Sequence, residues 1–184
     1  NIMYRAKKML TKKQICKKIL EMCKEEQEIR ENFFKTGDKK GLKNVESIDK
    51  RNREDFKEIF KQTGYISTQE YGEEVHRAAF LIVQHMPKEE LPFRKMYEKF
   101  MKKDLKNIKP HRYAMIVDRN RTYAGKPQLY GTQSIIMEGK EKTCKVMKIY
   151  KIEDLDIRRK KIGLGIMQEE IDKIKVEKGF TLIM

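Results

Sequence analysis

Apolar residues recur along this chain with helical spacing over most of its length, and with strand-like alternation in one region only. Cys16, Ile19, Leu20 and Cys23 fall at i, i+3, i+4 and i+7, one face of an amphipathic helix, which makes both cysteines small core residues. Thr11 and Gln14 stand where a capping box places them, a hydroxyl and an amide satisfying free N–H groups of a first turn. Phe33, Phe34 and the turn Thr36-Gly37-Asp38 end this helix or its successor. Residues 41–44 read as a linker. Val45, Ile48, Phe56, Ile59 and Phe60 then mark a second amphipathic helix, stopped by Gly64. Ser67 and Glu70 offer another capping box; the helix they open runs to about Met86 on the stripe Val75, Ala79, Ile82 and Met86, with Pro87 just beyond. Leu91, Tyr97, Phe100, Met101 and Leu105 predict a fourth helix.

Pro110 suits a first helical turn, where its missing N–H costs nothing, and the helix it opens carries Tyr113, Ala114, Val117 and Asp118. A short strand over 113–117 is the competing reading. After the break at Gly125-Lys126-Pro127, residues 128–137 alternate as a strand, Glu138-Gly139-Lys140 turns, and residues 143–150 return. The segment from about Asp154 to Lys178 reads as helical, with Gly163 and Gly165 as weak points. The pattern predicts an α+β fold, mostly helical, with one small antiparallel β-hairpin. It divides the chain into an N-terminal helical extension, residues 1–44, and a core domain, residues 45–184.

Composition narrows the classes. Of 184 residues, 39% are hydrophobic, enough for one core. No run approaches the roughly 18 apolar residues of a spanning helix, so no membrane association is expected. No signal peptide is visible, and three scattered cysteines exclude a disulfide framework. The expected location is cytoplasmic. The net charge of +15 is spread along the chain rather than held in a tail, which suits attraction of nucleic acid, an acidic protein or small anionic ligands. His76, His85 and His111 show no metal-binding spacing, and there is neither a Walker A loop nor a Gly-x-Ser-x-Gly elbow, so neither a metal nor a cofactor is expected.

Several residues are candidates for chemistry. His85 lies at the border of the apolar stripe near a predicted helix C-terminus, a position that suits a general acid or base and equally a histidine bonding a loop. Asp118 and Arg119 are an adjacent opposite pair, able to orient a loop or to hold an anion through Arg119. Alternation places Gln128, Tyr130 and Thr132 on one strand face and Leu129, Gly131 and Gln133 on the other, so Gln133 sits on an apolar face and must find partners. Arg158 and Arg159 open the densest basic run; their forked guanidinium groups suit phosphate or carboxylate, although such runs are commonly solvated.

Taken in order, Gly64-Tyr65-Ile66, Leu81-Ile82-Val83-Gln84-His85, the segment Tyr113-Ala114-Met115-Ile116-Val117-Asp118-Arg119, the segment Gly125-Lys126-Pro127-Gln128-Leu129-Tyr130-Gly131-Thr132-Gln133, and an arginine before Ile162-Gly163-Leu164 resemble the bacterial domain of unknown function 6624 family. The resemblance covers roughly residues 45–170. The chain departs from the family pattern at Tyr65-Ile66, where Trp-Pro is usual, and at Met86. It implies a compact domain with a shared polar cluster and brings no established activity.

Two functions are expected. One is a metal-independent hydrolase or transferase acting on a small anionic or nucleotide-like ligand, with His85, Asp118 and Tyr130 catalytic and Arg119, Gln128, Gln133, Arg158 and Arg159 binding the ligand. The alternative is a binding or regulatory module that uses its basic surface for nucleic acid or an acidic protein.

Overall fold

Helix α1, Lys12–Thr36, begins with the capping box: Thr11 Oγ1 accepts from the Gln14 N–H at 3.3 Å, and Gln14 Oε1 accepts from the Thr11 N–H at 2.9 Å. Gly37 ends it at φ 64°, a left-handed turn free of Cβ crowding. This computed structural model describes residues 9–37, 39–137, 143–179 and 181–184. Asp38 and the Glu138-Gly139-Lys140 turn lie outside the described residues. The buried side of α1 is Ile15, Ile19, Met22, Cys23 and Glu26. That face is rotated from the expected one. Ile15 and Met22 take its centre, which leaves Leu20 and Cys16 only half-buried, while Cys23 is buried and all three cysteines are free.

Helix α2 is Lys39–Thr63, so residues 41–44 are helical and not a linker. Gly41 is buried at the head of a continuous stripe, Gly41, Val45, Ile48, Asn52, Phe56 and Ile59. One interior glycine costs about 1 kcal/mol against alanine, less than the packing of such a stripe returns. The helix expected from Ser67 to Met86 is two. Ser67 Oγ accepts from the Glu70 N–H at 3.3 Å and starts α3, Thr68–Tyr71. Gly72 then turns at φ 84° and opens α4, Glu73–His85. Val75, Ala79, Ile82 and Met86 are buried as the stripe predicts.

Two compact units divide between Met86 and Pro87. In the first, α1, α2 and α4 pack on one another and α3 packs on α4. The second opens with a 3-10 turn, Lys88–Glu90, and α5, Leu91–Lys103, whose Tyr97 and Met101 are buried. Helix α6, Pro110–Tyr123, has Pro110 in its first turn, which settles the helix-or-strand alternative over 113–117. Arg94 of α5, fully buried, donates to Asn120 Oδ1 of α6 at 2.8 Å.

The sheet has three strands in the order β1 (Ser134–Ile136), β2 (Thr143–Val146), β3 (Thr181–Ile183). The antiparallel pair β1–β2 is the expected hairpin in shorter form; β3 joins β2 in parallel and makes the sheet mixed. Residues 128–133 are a loop joined to the segment after β2 by an isolated bridge, Gln128 to Ile149, and by the Met147 N–H, which donates to the Gln133 carbonyl at 3.0 Å. The last helical segment breaks at Gly163 (φ 84°) into α7, Leu155–Lys161, and α8, Met167–Lys178. Val146, Leu155, Met167 and Leu182 form the buried core here, flanked by Cys144, Ile149, Ile171 and Ile174. No helix among the described residues is long and apolar enough to cross a membrane.

Candidate functional site

The loop 128–133 is built around Asp118. This carboxylate on α6 is fully buried and accepts from the N–H groups of Leu129 (2.7 Å), Tyr130 (3.0 Å) and Thr132 (3.0 Å) and from the Thr132 hydroxyl (2.9 Å). Burial pushes the Asp118 carboxyl above its ordinary range, against the downward pull of those hydrogen bonds. Gly131 makes the wrap possible with φ 74°. Such a wrap cannot alternate like a strand, so Tyr130, Gly131 and Gln133 are all buried, contrary to the two-face expectation.

Gln128 is equally committed. Its Nε2 donates to the Gln133 and Met147 carbonyls at 3.0 and 2.7 Å, and its Oε1 accepts from the Gln133 N–H at 2.9 Å. Gln133 Oε1 accepts from Arg119 Nε at 2.9 Å, and its Nε2 donates to Thr132 Oγ1 at 3.0 Å. The two arginines of α7 close the wrap from outside. Arg158 Nε donates to the Leu129 carbonyl at 3.0 Å and its fork donates to the carbonyls of Tyr150 and Lys151. Arg159, 1% exposed, donates to the carbonyls of Tyr130 and Gly165, both at 2.7 Å. Asp118, Arg119, Gln128, Tyr130, Gln133, Arg158 and Arg159 are thus brought together, but by bonds to the chain itself.

What this network holds in place is one edge of a cleft of about 670 Å3, which Gly131 and Thr132 line. Lys109 and His111, at the N-terminal end of α6, line it with Arg159 of α7 and Lys173 of α8. No acidic residue sits in the first turn of α6, and no side chain caps it. Glu170 and Glu177 also line the cleft; Glu170 lies 3.6 Å from Arg159 Nη2 and offsets that charge. Lys109 and Lys173 left no mark in a sequence holding 43 lysines and arginines, and His111 had no patterned neighbour.

His85 belongs to the first unit, and Asp118 and Gln133 to the second. His85 Nδ1 bonds the carboxylate of Glu26 on α1, which is 1% exposed. Glu26 also accepts from Arg30 Nε at 3.0 Å, and Arg30 donates to both oxygens of Asp49, at 2.6 and 2.7 Å. Burial raises the Glu26 carboxyl, yet the bonds from His85 and Arg30 prevail and hold it below its ordinary value. Asp49 moves the other way: burial raises it and the nearby Glu26 adds to the rise, with Arg30 opposing. Asn52, fully buried alongside on α2, donates to the Met22 carbonyl at 3.1 Å. The signal for Glu26 was present: an acid on the apolar stripe, seven residues after Ile19.

The chain is a mostly helical α+β protein with a small mixed sheet, and a network centred on Asp118 holds its Tyr130-Gly131-Thr132-Gln133 loop. The chain belongs to DUF6624, a family of unknown function, whose model matches residues 13–182. The match begins within α1, so both long N-terminal helices lie in the family region. No curated protein and no solved structure matches the chain.

Proposed function

We propose that the protein binds a small anionic ligand in the cleft of its second unit. The observation that carries this is the convergence of Lys109, His111, Arg159 and Lys173, from three different helices, on one cleft beside a loop fixed in place. The α6 N-terminus adds its positive dipole end. In this reading Lys109 and Lys173 meet the anion and Thr132 positions it. Asp118, Gln128, Gln133, Arg119 and Arg158 act one step back, by holding the loop rigid. A preformed wall means little ordering entropy is lost on binding.

The test is a thermal shift with inorganic phosphate and pyrophosphate on the full chain. Binding raises the melting temperature by mass action. In a Lys109→Ala/Lys173→Ala variant, both exposed positions, the rise should disappear while the unliganded melting temperature holds. A rise unchanged in the double variant would sink the proposal.

A second reading, acid–base catalysis of hydrolysis or group transfer at His85, is favoured by the Glu26 contact. A carboxylate on Nδ1 fixes the ring and its tautomer, and Nε2 has no hydrogen-bond partner among the described residues. His85→Gln should then lower turnover of a substrate on the order of 100-fold.

A further inference from the structure

The cleft is chemically mixed. Its charged residues, Glu170 and Glu177 among them, come from the helices and the N-terminal end of α6, whereas its sheet wall is apolar apart from Ser134. Strand register places Ile136 opposite Cys144 and Cys144 opposite Leu182, so these three form one row across the sheet. All three line the cleft, and Ile174 of α8 lines it with them. No Phe, Tyr or Trp side chain lines it among the described residues, and its one imidazole, His111, stands at the N-terminal end of α6 beside Lys109. Bases are commonly held between aromatic faces, of which this lining offers the His111 ring alone. An aliphatic chain needs only a dry apolar wall.

Resting on the anionic-ligand reading above, we infer that the ligand is an amphipathic anion with an aliphatic body, of alkyl phosphate chemistry, and not a nucleotide. The head lies by Lys109, His111 and Lys173, and the chain runs along Ile136, Cys144 and Leu182. A cleft of about 670 Å3 suits a molecule of this size.

The test is calorimetric titration of the full chain with inorganic phosphate, butyl phosphate, octyl phosphate and adenosine monophosphate, each below any micelle concentration. Four added methylenes buried on the row should tighten binding from butyl to octyl phosphate on the order of 100-fold. Adenosine monophosphate should stay within a few fold of inorganic phosphate. Ile136 is 64% exposed, so Ile136→Asn should fold normally, reduce the octyl gain several-fold and leave inorganic phosphate binding unchanged. Cys144 gives a second readout: octyl phosphate should slow its alkylation, followed site by site in the mass spectrum, and inorganic phosphate should not. If phosphate binds and chain length has no effect, the inference is wrong and the anion reading stands. If no compound in the series binds, the anion reading fails and takes the inference with it. A chain-length gain that survives Ile136→Asn and leaves Cys144 unprotected places the alkyl chain elsewhere and overturns the inference.

Discussion

Asp118 Oδ2 accepts from both the backbone N–H and the hydroxyl of Thr132, at 3.0 and 2.9 Å, and so fixes this residue through two separate atoms. Replacing the carboxylate by an amide keeps the shape but turns one oxygen into a donor facing donors. Asp118→Asn should therefore cost about 3 kcal/mol in urea unfolding, the scale of buried N–H groups left unpaired. Thr132→Val removes only the hydroxyl and should cost about 1 kcal/mol. Equal losses for the two variants would show that the backbone bonds contribute nothing.

Local signals carried far in this sequence, and non-local ones did not. The Thr11–Gln14 box is decided within one turn and the Val75, Ala79, Ile82, Met86 stripe within about three, and the structure has them. Residues 128–133 alternate like a strand, but their path is set by a carboxylate on α6 and by the positive φ of Gly131, neither of which a two-residue period contains. Strand β3 is three residues long and pairs in parallel with a strand far behind it. Nothing local distinguishes it from a frayed terminus. His85 reads as a border histidine, but Glu26 lies 59 residues away, beyond the reach of any local pattern.

Thiol reactivity should separate the cysteines. Cys23 is buried, and burial raises its thiol, with the Glu26 carboxylate adding to the rise and Arg77 opposing it. The thiolate is the reactive form. In the native protein Cys16 and Cys144, both half-buried, should be alkylated well before Cys23, and Cys23 should react only as the chain unfolds. Site-resolved mass spectrometry against time gives the order; Cys23 labelling first would contradict the packing of α1.

The acid limb of stability should carry the sign of Glu26. Its folded pKa is depressed below 4.5, so near and below that pH the unfolded chain holds more protons at this group than the folded one. Stability from Glu26 is therefore complete above about pH 4.5 and falls as pH drops through the folded value. Asp49, raised above 3.8, works with the opposite sign, because the folded chain protonates there first. Comparing wild type with Glu26→Gln isolates the first contribution. Urea unfolding at several pH values between 3 and 7 should show a shallower acid loss in the variant. An identical slope would mean that the bonds from His85 and Arg30 do not favour the carboxylate over its protonated form.

Gly131 faces two constraints that can be measured apart. Its φ of 74° costs a residue with a Cβ about 1–2 kcal/mol. An added Cβ would also stand 3.1 Å from Met167 Sδ and 3.4 Å from Ile149 Cδ1. Met167 has little room to retreat: it is buried, its N–H donates to Asp156 Oδ1 at 2.8 Å, and its sulfur lies 3.6 Å from Arg159 Nη1. Gly125 supplies the comparison, since it has φ 70° with nothing within 4 Å of an added Cβ. Gly125→Ala should thus report the backbone term alone, and Gly131→Ala should exceed it by about 1 kcal/mol of crowding. In a Met167→Ala background that excess should vanish, because the space left by the thioether admits the new methyl group. If Gly131→Ala costs no more than Gly125→Ala in the wild-type background, then Met167 yields freely. The loop edge that Asp118 and Arg159 hold would then be softer than its hydrogen bonds imply.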